Sequence, residues 1–410
     1  MNRRLSTVTV GLIAMAAYIG SCRADTIIDW DAKATAVASF AALGEREVAI
    51  VDLAMFDAVN SIARRYQPYL AQVPTLEPTS IDASAASAAA TALALLHPQA
   101  ANDFKAALTE YLGQVSAPPA AIEAGIRLGE TVAKKIVESR ATDGATDVDP
   151  YRPKTRPGQY VPTATMVSST WPIMRPFVLT SPSQFRPGPP PALQSREWAA
   201  DYNEIKELGG KTSSKRSAEQ TETARFWLMV GPQAYHPLAR QMVLERHLDL
   251  VDSARFMALF AVTLTDAYIA VFDAKYHYEF WRPVTAIRNG DLDGNPATPP
   301  DATWQPLDAT PMHPEYPCAH CILSGAARVV LESLAEGRPM PEFSLTSSTA
   351  PGVTHRWSNL EEFTAEVANA RIWAGFHYRF STRVGTGLGR QVAQYVLDKT
   401  MQPVTKTAQR

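Results

Sequence analysis

The sequence predicts an all-α protein, a helical bundle with a helical N-terminal half and long proline-rich loops. Three observations support this prediction. Apolar residues recur at helical spacing in residues 25–70 and 196–283, and residues 80–140 are rich in alanine, the strongest helix former. The alternation of apolar and polar residues that is typical of strands is scarce. With 410 residues, 46% of them hydrophobic, the chain has ample material for a large core.

The N-terminal half is expected to form two groups of helices. The first has a broad apolar stripe made of Val48, Ile50, Val51, Leu53, Ala54, Phe56 and Val59. The second, within residues 80–140, should break at His97-Pro98 and again at Ala117-Pro118-Pro119, because proline cannot continue a helix.

Residues 145–195 are rich in proline, and they also contain Trp171 and Phe177. Large aromatic side chains favour burial. We therefore expect an ordered excursion that wraps over the bundle rather than a flexible linker.

The C-terminal half, residues 196–400, is predicted to form a second helical bundle that binds an oxyanion. Residues 256–272 are apolar nearly all round, which indicates a central buried helix leading into Lys275. Residues 289–316 read as a loop rich in Asp, Pro and Gly, followed by a helix over about 320–335. This helix should start at the turn Cys318–His320, where its N-terminal N–H groups would favour an anion.

Residues 1–24 have the pattern of a secretory signal peptide. Asn2-Arg3-Arg4 is positively charged, Val8–Ile19 is apolar but too short to span a bilayer, and small residues follow. Ile19-Gly20-Ser21-Cys22 also approximates a lipoprotein processing site, which leaves open a lipid anchor at Cys22. We expect a secreted or periplasmic protein, which could carry this membrane anchor. No later segment reads as long and apolar enough to cross a bilayer.

The charge of the chain argues against one class of partner. The formal net charge is −2 and the isoelectric point is about 6.5, and no basic run with interleaved aromatic residues occurs. Nucleic-acid binding requires a concentrated positive surface. We therefore expect small-molecule partners and no nucleic acid, and the sequence leaves the oligomeric state open.

Three short stretches contain residues suited to holding a tetrahedral oxyanion: KYHYEFWRP (275–283), HPEYPCAH (313–320) and RIWAGFH (371–377). Lys275 and Arg282 are seven residues apart, so on a helix they would share one face, and Pro283 should end that helix. Arginine and lysine side chains bind such oxygens through charge-assisted hydrogen bonds.

Each stretch also has a plainer interpretation. The cations of the first stretch could belong to a solvated helix face, and His320 or His377 could be a hydrogen-bonded core residue. Arg371 could form a surface network with glutamates of the same region, Glu361, Glu362 and Glu366, which would contribute little to stability.

In this order the three stretches resemble the signature of the vanadium-dependent haloperoxidase and type 2 phosphatidic acid phosphatase superfamily. That signature is a lysine, six residues and Arg-Pro, then Pro-Ser-Gly-His, then Ser-Arg, three residues, Gly, any residue and His. The matching positions here are Lys275, Arg282, Pro283, Pro317, Cys318, Ala319, His320, Ala370, Arg371, Gly375 and His377. The match covers roughly residues 270–390, about a third of the chain, and implies the helical bundle of this superfamily.

The resemblance implies a role for each matching side chain. His377 would bond vanadate in a peroxidase, or attack phosphorus in a phosphatase, and His320 would act as the general acid–base. The cations Lys275, Arg282 and Arg371 would hold the oxyanion's oxygens. On an unbroken helix Arg371 and His377 would point apart, so we expect the helix to break near Gly375.

Two positions next to the oxyanion differ from the family pattern. Cys318 replaces the serine that donates a hydroxyl, and thiols are poor donors. Ala319 replaces the glycine, and its backbone N–H can still donate to the anion. The serine before the arginine is also replaced, by Ala370.

Cys318 and Cys321 form a C-x-x-C pattern in the same loop. A thioredoxin-like pair would need a βαβ setting, and a zinc site would need more ligands than the nearby His313 supplies. The two remaining interpretations are a short structural disulfide, favoured by the oxidising compartment, and two free thiols at a helix start.

Gly385-Thr386-Gly387-Leu388-Gly389 resembles a nucleotide-binding loop, but no predicted strand precedes it. We interpret these glycines as positions that let two helices approach closely.

The resemblance favours a vanadium-dependent haloperoxidase that oxidises halide with hydrogen peroxide at a vanadate bound to His377. His313 matches a histidine that bromoperoxidases carry at this place, which favours bromide. One alternative is a secreted acid phosphatase that hydrolyses phosphomonoesters through a phosphohistidine, with phosphate at the same site. The other is a non-catalytic oxyanion-binding protein. For the enzyme, the expected partners are hydrogen peroxide, halide and an organic acceptor.

Overall fold

The computed structural model describes residues 25–75, 77–148, 151–162, 164–335 and 337–404. Within these ranges the chain forms thirteen α-helices and one two-stranded antiparallel sheet. The predicted signal peptide over residues 1–24, with Cys22, lies outside the described residues and stays a prediction. The boundary proposed between residues 195 and 196 also stays a prediction.

The N-terminal helices follow the two predicted groups. Their bounds are α1 Thr26–Val37, α2 Ala42–Ala63, α3 Ile81–Leu96, α4 Ala101–Leu112 and α5 Pro119–Ser139. The breaks fall at the predicted prolines, since α3 ends before Pro98 and α5 begins at Pro119. The prediction for this half is confirmed.

The C-terminal helices surround one long central helix, α9. The bounds are α6 Arg196–Leu208, α7 Ala218–Phe226, α8 His236–Arg246, α9 Leu250–Tyr278, α10 Pro283–Arg288, α11 Ala319–Glu332, α12 Leu360–Trp373 and α13 Arg379–Lys399. The carboxylate of Asp249 caps α9 by accepting the N–H groups of Val251 and Asp252. The apolar stretch of α9 is entirely buried, as its all-round hydrophobic character predicted.

The length and hydropathy of α9 correct one expectation. By length and composition alone this 29-residue helix could cross a membrane, so the expectation that no later segment qualifies was wrong. A helix that is hydrophobic all round is also the normal centre of a large folded protein. Here its whole apolar window is buried among other helices.

The proline-rich excursion between α5 and α6 is ordered and attached to α9. Trp171 is 3% exposed, and Phe177 is also buried. The carboxylate of Asp266 on α9 accepts the backbone N–H groups of Phe177, Val178 and Leu179 at 2.7, 2.8 and 2.8 Å. Burial raises the pKa of Asp266 to about 6, while these three N–H groups act in the opposite direction. The predicted burial of Trp171 and Phe177 is confirmed.

A short hairpin was not predicted. Strand β1 (Phe343–Ser347) pairs antiparallel with β2 (Ala350–Trp357), and the register slips between Thr346 and Ser347. Phe343, Leu345 and Ser347 are buried while Ser344 and Thr346 are not, so the period-two signal is present over only five residues.

Glycines let α11 and α13 approach closely, as the glycine-rich pattern indicated. A Cβ atom at Gly389 would lie 1.9 Å from the carbonyl oxygen of Ile322, and one at Gly325 would lie 2.4 Å from that of Thr386. No side chain fits at such distances. Because α11 begins at the predicted anion-binding turn, this packing fixes the position of that turn.

A buried polar cluster joins α1, α2 and α8. His236 Nδ1 lies 2.7 Å from an oxygen of Asp31, and its Nε2 lies 3.3 Å from an oxygen of Glu45. Arg240 also pairs with Asp31. Burial and the nearby Asp31 raise the pKa of Asp52, which lies in the same cluster, well above its usual value.

The cluster predicts a stability that falls at alkaline pH. Despite burial, the carboxylates of Asp31 and Glu45 raise the pKa of His236 to about 10 from an ordinary value of 6.5. Its stabilising contribution is therefore complete below pH 6.5 and is lost as pH rises toward about 10. We expect the free energy of unfolding, measured by urea denaturation, to decline across this window.

His236→Gln should be destabilised by roughly 3 to 5 kcal/mol at neutral pH, because it leaves buried carboxylates without their partner. Its stability should also depend less on pH across the same window. The exposed His277 provides the control, since His277→Gln should match the unsubstituted protein. An unchanged pH slope in His236→Gln would contradict the assignment.

Candidate active site

Lys275 lies on α9, whereas Arg282 lies in the connection just before α10. Helix α9 ends at Tyr278, and Glu279 adopts a left-handed conformation with φ 49°. Arg282 then precedes α10, which has Pro283 in its first turn. The prediction that both cations share one helix face was wrong, because the chain stops the helix before the proline, and proline suits the start of the next one.

Lys275 is fully buried and points inward. Its ammonium group donates to the carbonyl oxygens of Pro314 and Glu315 at 2.9 and 2.7 Å. An ammonium has three N–H donors, so one remains after these two bonds. Burial and the nearby Arg282 lower the pKa of Lys275 well below its usual value, while Glu315 acts in the opposite direction.

The guanidinium of Arg282 connects the second and third stretches. Its Nε and Nη1 donate to the carbonyl oxygens of His313 and Phe376, each at 2.9 Å. Its Nη1 also lies 3.2 Å from Nε2 of His377, and its Nη2 lies 3.1 Å from Nδ1 of His313. Burial lowers the pKa of Arg282 to about 10.

Arg371 is buried at the end of α12 and does not join the surface glutamates. Its Nη1 donates to the carbonyl oxygen of Trp227 at 2.6 Å, and its guanidinium lies 4.9 Å from the ring centre of Phe376. Its Nε is buried and has no hydrogen-bond partner in the described part of the chain. Burial and the charge of Arg282 lower the pKa of Arg371 to about 9.

The helix break predicted near Gly375 is confirmed. Helix α12 ends at Trp373, and Gly375 has φ 82°, a conformation that side chains disfavour. The backbone N–H groups of Phe376 and His377 then both bond the carbonyl oxygen of Arg371, at 3.1 and 3.3 Å. This turn brings Arg371 and His377 to the same cavity.

His377 is oriented by Glu315, a residue that the sequence reasoning missed. The Nδ1 of His377 lies 2.7 Å from a carboxylate oxygen of Glu315, which also accepts the N–H of Tyr378 at 3.2 Å. The guanidinium of Arg282, 3.2 Å from Nε2, can only donate, so Nε2 keeps its lone pair and Nδ1 carries the proton that the ionised Glu315 accepts. The position of Glu315 between His313 and His320 was the available signal.

The protonation of Glu315 and His377 reflects burial among cations. Burial raises the pKa of Glu315 to about 7, although Lys275 and Arg282 favour its ionised form. Burial and the charge of Arg282 lower the pKa of His377 well below its usual value. His377 is therefore a neutral imidazole at neutral pH.

His320 has the opposite tautomer. Its Nε2 lies 3.0 Å from the carbonyl oxygen of Met229, so Nε2 carries the proton and Nδ1 keeps a lone pair. Burial and the charge of Arg371 lower the pKa of His320 well below its usual value. Burial and the charge of Lys275 likewise lower the pKa of His313 well below its usual value.

The turn at residues 318–320 starts α11 as predicted, and its cysteines form a disulfide. Ala319 is the first residue of α11, with Cys318 as the N-cap residue. Cys318 is bonded to Cys321, and its sulfur accepts the N–H of Cys321 at 3.2 Å. The favoured interpretation of the C-x-x-C pattern is confirmed, and a sulfur in a disulfide has no S–H to donate.

The site opens into a single cavity of about 870 Å³. Five of the residues predicted to form the site line this cavity: His313, Ala319, His320, Arg371 and His377. The other three, Lys275, Arg282 and Cys318, are buried and do not line it. His320 and His377 therefore face one shared space, which was the central structural prediction.

The charges of the site are unbalanced without an anion. Lys275, Arg282 and Arg371 are each at most 3% exposed, and the described residues set one buried carboxylate, that of Glu315, against them. Burial lowers the pKa of all three cations, as expected for charges held without a counterion.

The residues present fit a tetrahedral oxyanion such as vanadate. The unpartnered Nε of Arg371, the third N–H of Lys275 and the N–H of Ala319 at a helix start are donors suited to its oxygens. The lone pair on Nε2 of His377 is suited to its central atom. The arrangement can therefore bind an oxyanion and exchange protons with it.

The comparisons with known proteins agree with this geometry. Residues 255–406 match the family described as the VCPO second helical-bundle domain. The vanadium chloroperoxidase of Curvularia inaequalis is 28% identical over 192 residues, which cover 39% of this chain and 31% of that protein. This match therefore spans less than a third of the curated relative's length.

Two solved structures share the fold over most of the chain. The first bacterial vanadium-dependent iodoperoxidase superposes with a TM-score of 0.78 at 24% identity, covering 93% of this chain and 97% of that one. A holo-type bacterial vanadium-dependent chloroperoxidase gives 0.71 at 16% identity, covering 91% and 92%. Residues 255–406 therefore match the VCPO second helical-bundle domain family, and the chain has the helical fold of these vanadium-dependent haloperoxidase structures, as the resemblance of its three motifs implied.

Proposed function

We propose that this protein is a vanadium-dependent haloperoxidase, which oxidises a halide with hydrogen peroxide. The observation that carries the proposal is that Arg371 and the imidazoles of His320 and His377 line one cavity, while Lys275, Arg282 and Glu315 are buried in hydrogen-bond contact with the same segments. The relatives support the same chemistry, since those named above are described as vanadium chloroperoxidases or iodoperoxidases. When bound, vanadate would activate hydrogen peroxide toward halide.

His377 would hold the cofactor through Nε2. Glu315 supports this role, because its carboxylate accepts the Nδ1 proton at 2.7 Å and so keeps the lone pair on Nε2. A carboxylate bonded to the far nitrogen also raises the basicity of a ligating imidazole.

Lys275, Arg282 and Arg371 would hold the oxygens and offset their charge. Each cation is already positioned by bonds to backbone carbonyl oxygens, so little reorganisation is needed when an anion enters. The Ala319 N–H would add a donor at the start of α11.

His320 would move protons at Nδ1. Its other nitrogen is bonded to the carbonyl of Met229, so the ring orientation is fixed and Nδ1 is left to accept or return a proton. The burial that lowers the pKa of His320 keeps this nitrogen unprotonated in the resting site.

Within this proposal bromide is the favoured halide. The support is the match of His313 to a histidine that bromoperoxidases carry at this place, and His313 lines the cavity, 3.1 Å from Arg282. A secreted or periplasmic location, with lipidation of Cys22 as one outcome, rests on the N-terminal pattern and is part of the same proposal.

An acid phosphatase remains the second candidate, because phosphate has the shape and charge of vanadate. In that case His377 would attack phosphorus, and His320 would protonate the leaving group. A protein that binds the oxyanion without turnover is the third candidate, supported by a disulfide where the family has a hydroxyl donor.

A paired assay tests the function directly. We expect halogenation of a dye that depends on peroxide, bromide and added vanadate, and no hydrolysis of phosphate esters in vanadate-free buffer. His377→Ala should lower halogenation by roughly 100-fold or more, because the ligand to the cofactor is lost. The exposed His277, outside the cavity, provides the matched control His277→Ala.

Other results of this assay identify the alternatives. Ester hydrolysis that vanadate inhibits and His377→Ala abolishes would replace the proposal with the phosphatase. Tight vanadate binding without either turnover would identify a binding protein.

Glu315→Gln separates the bond to His377 from simple charge attraction. The substitution removes a negative charge, which by itself favours any anion, and it also lowers the basicity of His377. We expect vanadate to bind about tenfold more weakly, because it depends on that imidazole. Phosphate, held by charge and hydrogen bonds, should bind no more weakly than before.

Isothermal titration with both anions measures these affinities. Glu332→Gln, which changes a surface carboxylate paired with Arg328, serves as the control. Equal changes in vanadate and phosphate affinity would contradict the role given to Glu315.

A further inference from the structure

The cavity in front of His320 and His377 is much larger than the reactants of halide oxidation require. Its volume is about 870 Å³. A water molecule occupies about 30 Å³ in the liquid, and pockets for drug-sized molecules measure about 300 to 1,000 Å³. Peroxide and a halide ion would fill only a small part of this space.

The walls of the cavity are suited to an apolar ring. They include the side chains of Leu228, Val230, Tyr268, Phe272, Val284 and Leu307. The rings of Tyr268 and Phe272 are nearly parallel, with centroids 6.0 Å apart. Apolar walls with a few convergent polar groups are typical of sites for organic molecules.

An exposed aromatic residue lies at the opening of this cavity. Phe40, in the short connection between α1 and α2, lines the cavity and is 71% exposed. A phenyl ring gains free energy when it is buried against another apolar surface. A ring bound in the cavity mouth would cover it.

Two cations lie on the same walls, outside the group that would hold the oxyanion. Lys211 and Arg288 are both exposed and line the cavity, and neither forms an ion pair in the described part of the chain. Arg288 uses its Nε on the carbonyl of Trp304, which leaves its terminal nitrogens available. Asp308 lies on these walls too, so the outer part of the cavity carries a net charge of +1.

We propose that this cavity binds an aromatic organic molecule with one anionic group, its ring against the apolar walls and its anion toward Lys211 and Arg288. The binding site stands on the cavity alone, whereas the role of this molecule as the halogen acceptor rests on the proposed function. In that role a ring carbon forms a bond to halogen while the O–X bond of hypohalous acid breaks. The ring proton joins the released hydroxide as water, so the ring is oxidised and the halogen is reduced.

Binding is tested first, without vanadate or turnover. The probes are a hydroxynaphthoate and the matching neutral naphthol, titrated at low ionic strength. We expect the carboxylate to bind about tenfold more tightly than the naphthol, as a charge-assisted hydrogen bond contributes. Lys211→Gln should remove most of this preference, whereas Lys215→Gln, a lysine outside the cavity, should leave it unchanged.

Phe40→Ala should weaken both probes to a similar extent, because the ring contributes apolar contact to each. A second charge variant, Arg288→Gln, guards against a local effect of the lysine substitution. Equal affinity for the two probes, or a preference that survives both charge variants, would overturn the proposed site.

Turnover then separates the site from the proposed function. With the vanadate-loaded protein, peroxide and bromide, bromination of the bound hydroxynaphthoate should give isomers in a ratio different from that of free hypobromite. Lys211→Gln should shift the ratio toward the free reagent. Tight binding without bromination would support the binding site but overturn the role of the bound molecule as halogen acceptor. An isomer ratio from the unsubstituted protein equal to that of free hypobromite would have the same meaning.

Discussion

The site depends on one electrostatic constraint: three positive side chains are buried together, and only one buried carboxylate in the described chain offsets them. Charges held in this way are costly to bury unless a partner arrives. The protein limits the cost by bonding each cation to backbone carbonyl oxygens, which hold it without neutralising it. The remaining positive charge favours the binding of a compact anion with several oxygens, and both vanadate and phosphate are anions of this kind.

The packing of the surrounding helices holds these charged and polar groups in position. Helix α9 brings Lys275 to the centre of the molecule, and the close contact of α11 with α13 fixes the turn that carries Ala319 and His320. The disulfide occupies the position where the family pattern has a hydroxyl.

The sequence could predict the helices, because proline, glycine and apolar periodicity act locally. The convergence of His320 with His377, and with it the break near Gly375, followed from the resemblance of the three motifs. It could not predict that the helix of Lys275 ends before Arg282, since the left-handed stop at Glu279 has no residue preference that marks it in advance. Glu315 was missed because a single carboxylate in a loop has no distinguishing pattern, and its partner His377 is distant in the sequence. The hairpin was missed because its period-two signal spans only five residues.

Two parts of the chain form the cavity, and they contribute different kinds of residue. The motif-bearing segments supply the charged floor, whereas the proline-rich excursion contributes Ala164, Val167 and Ser168 to the wall and is tied to α9 through Asp266. Insertions or exchanges in this excursion can therefore reshape the cavity while the buried cations and imidazoles stay in place. The shape of the cavity and the charge at its floor are thus set by segments that can change separately.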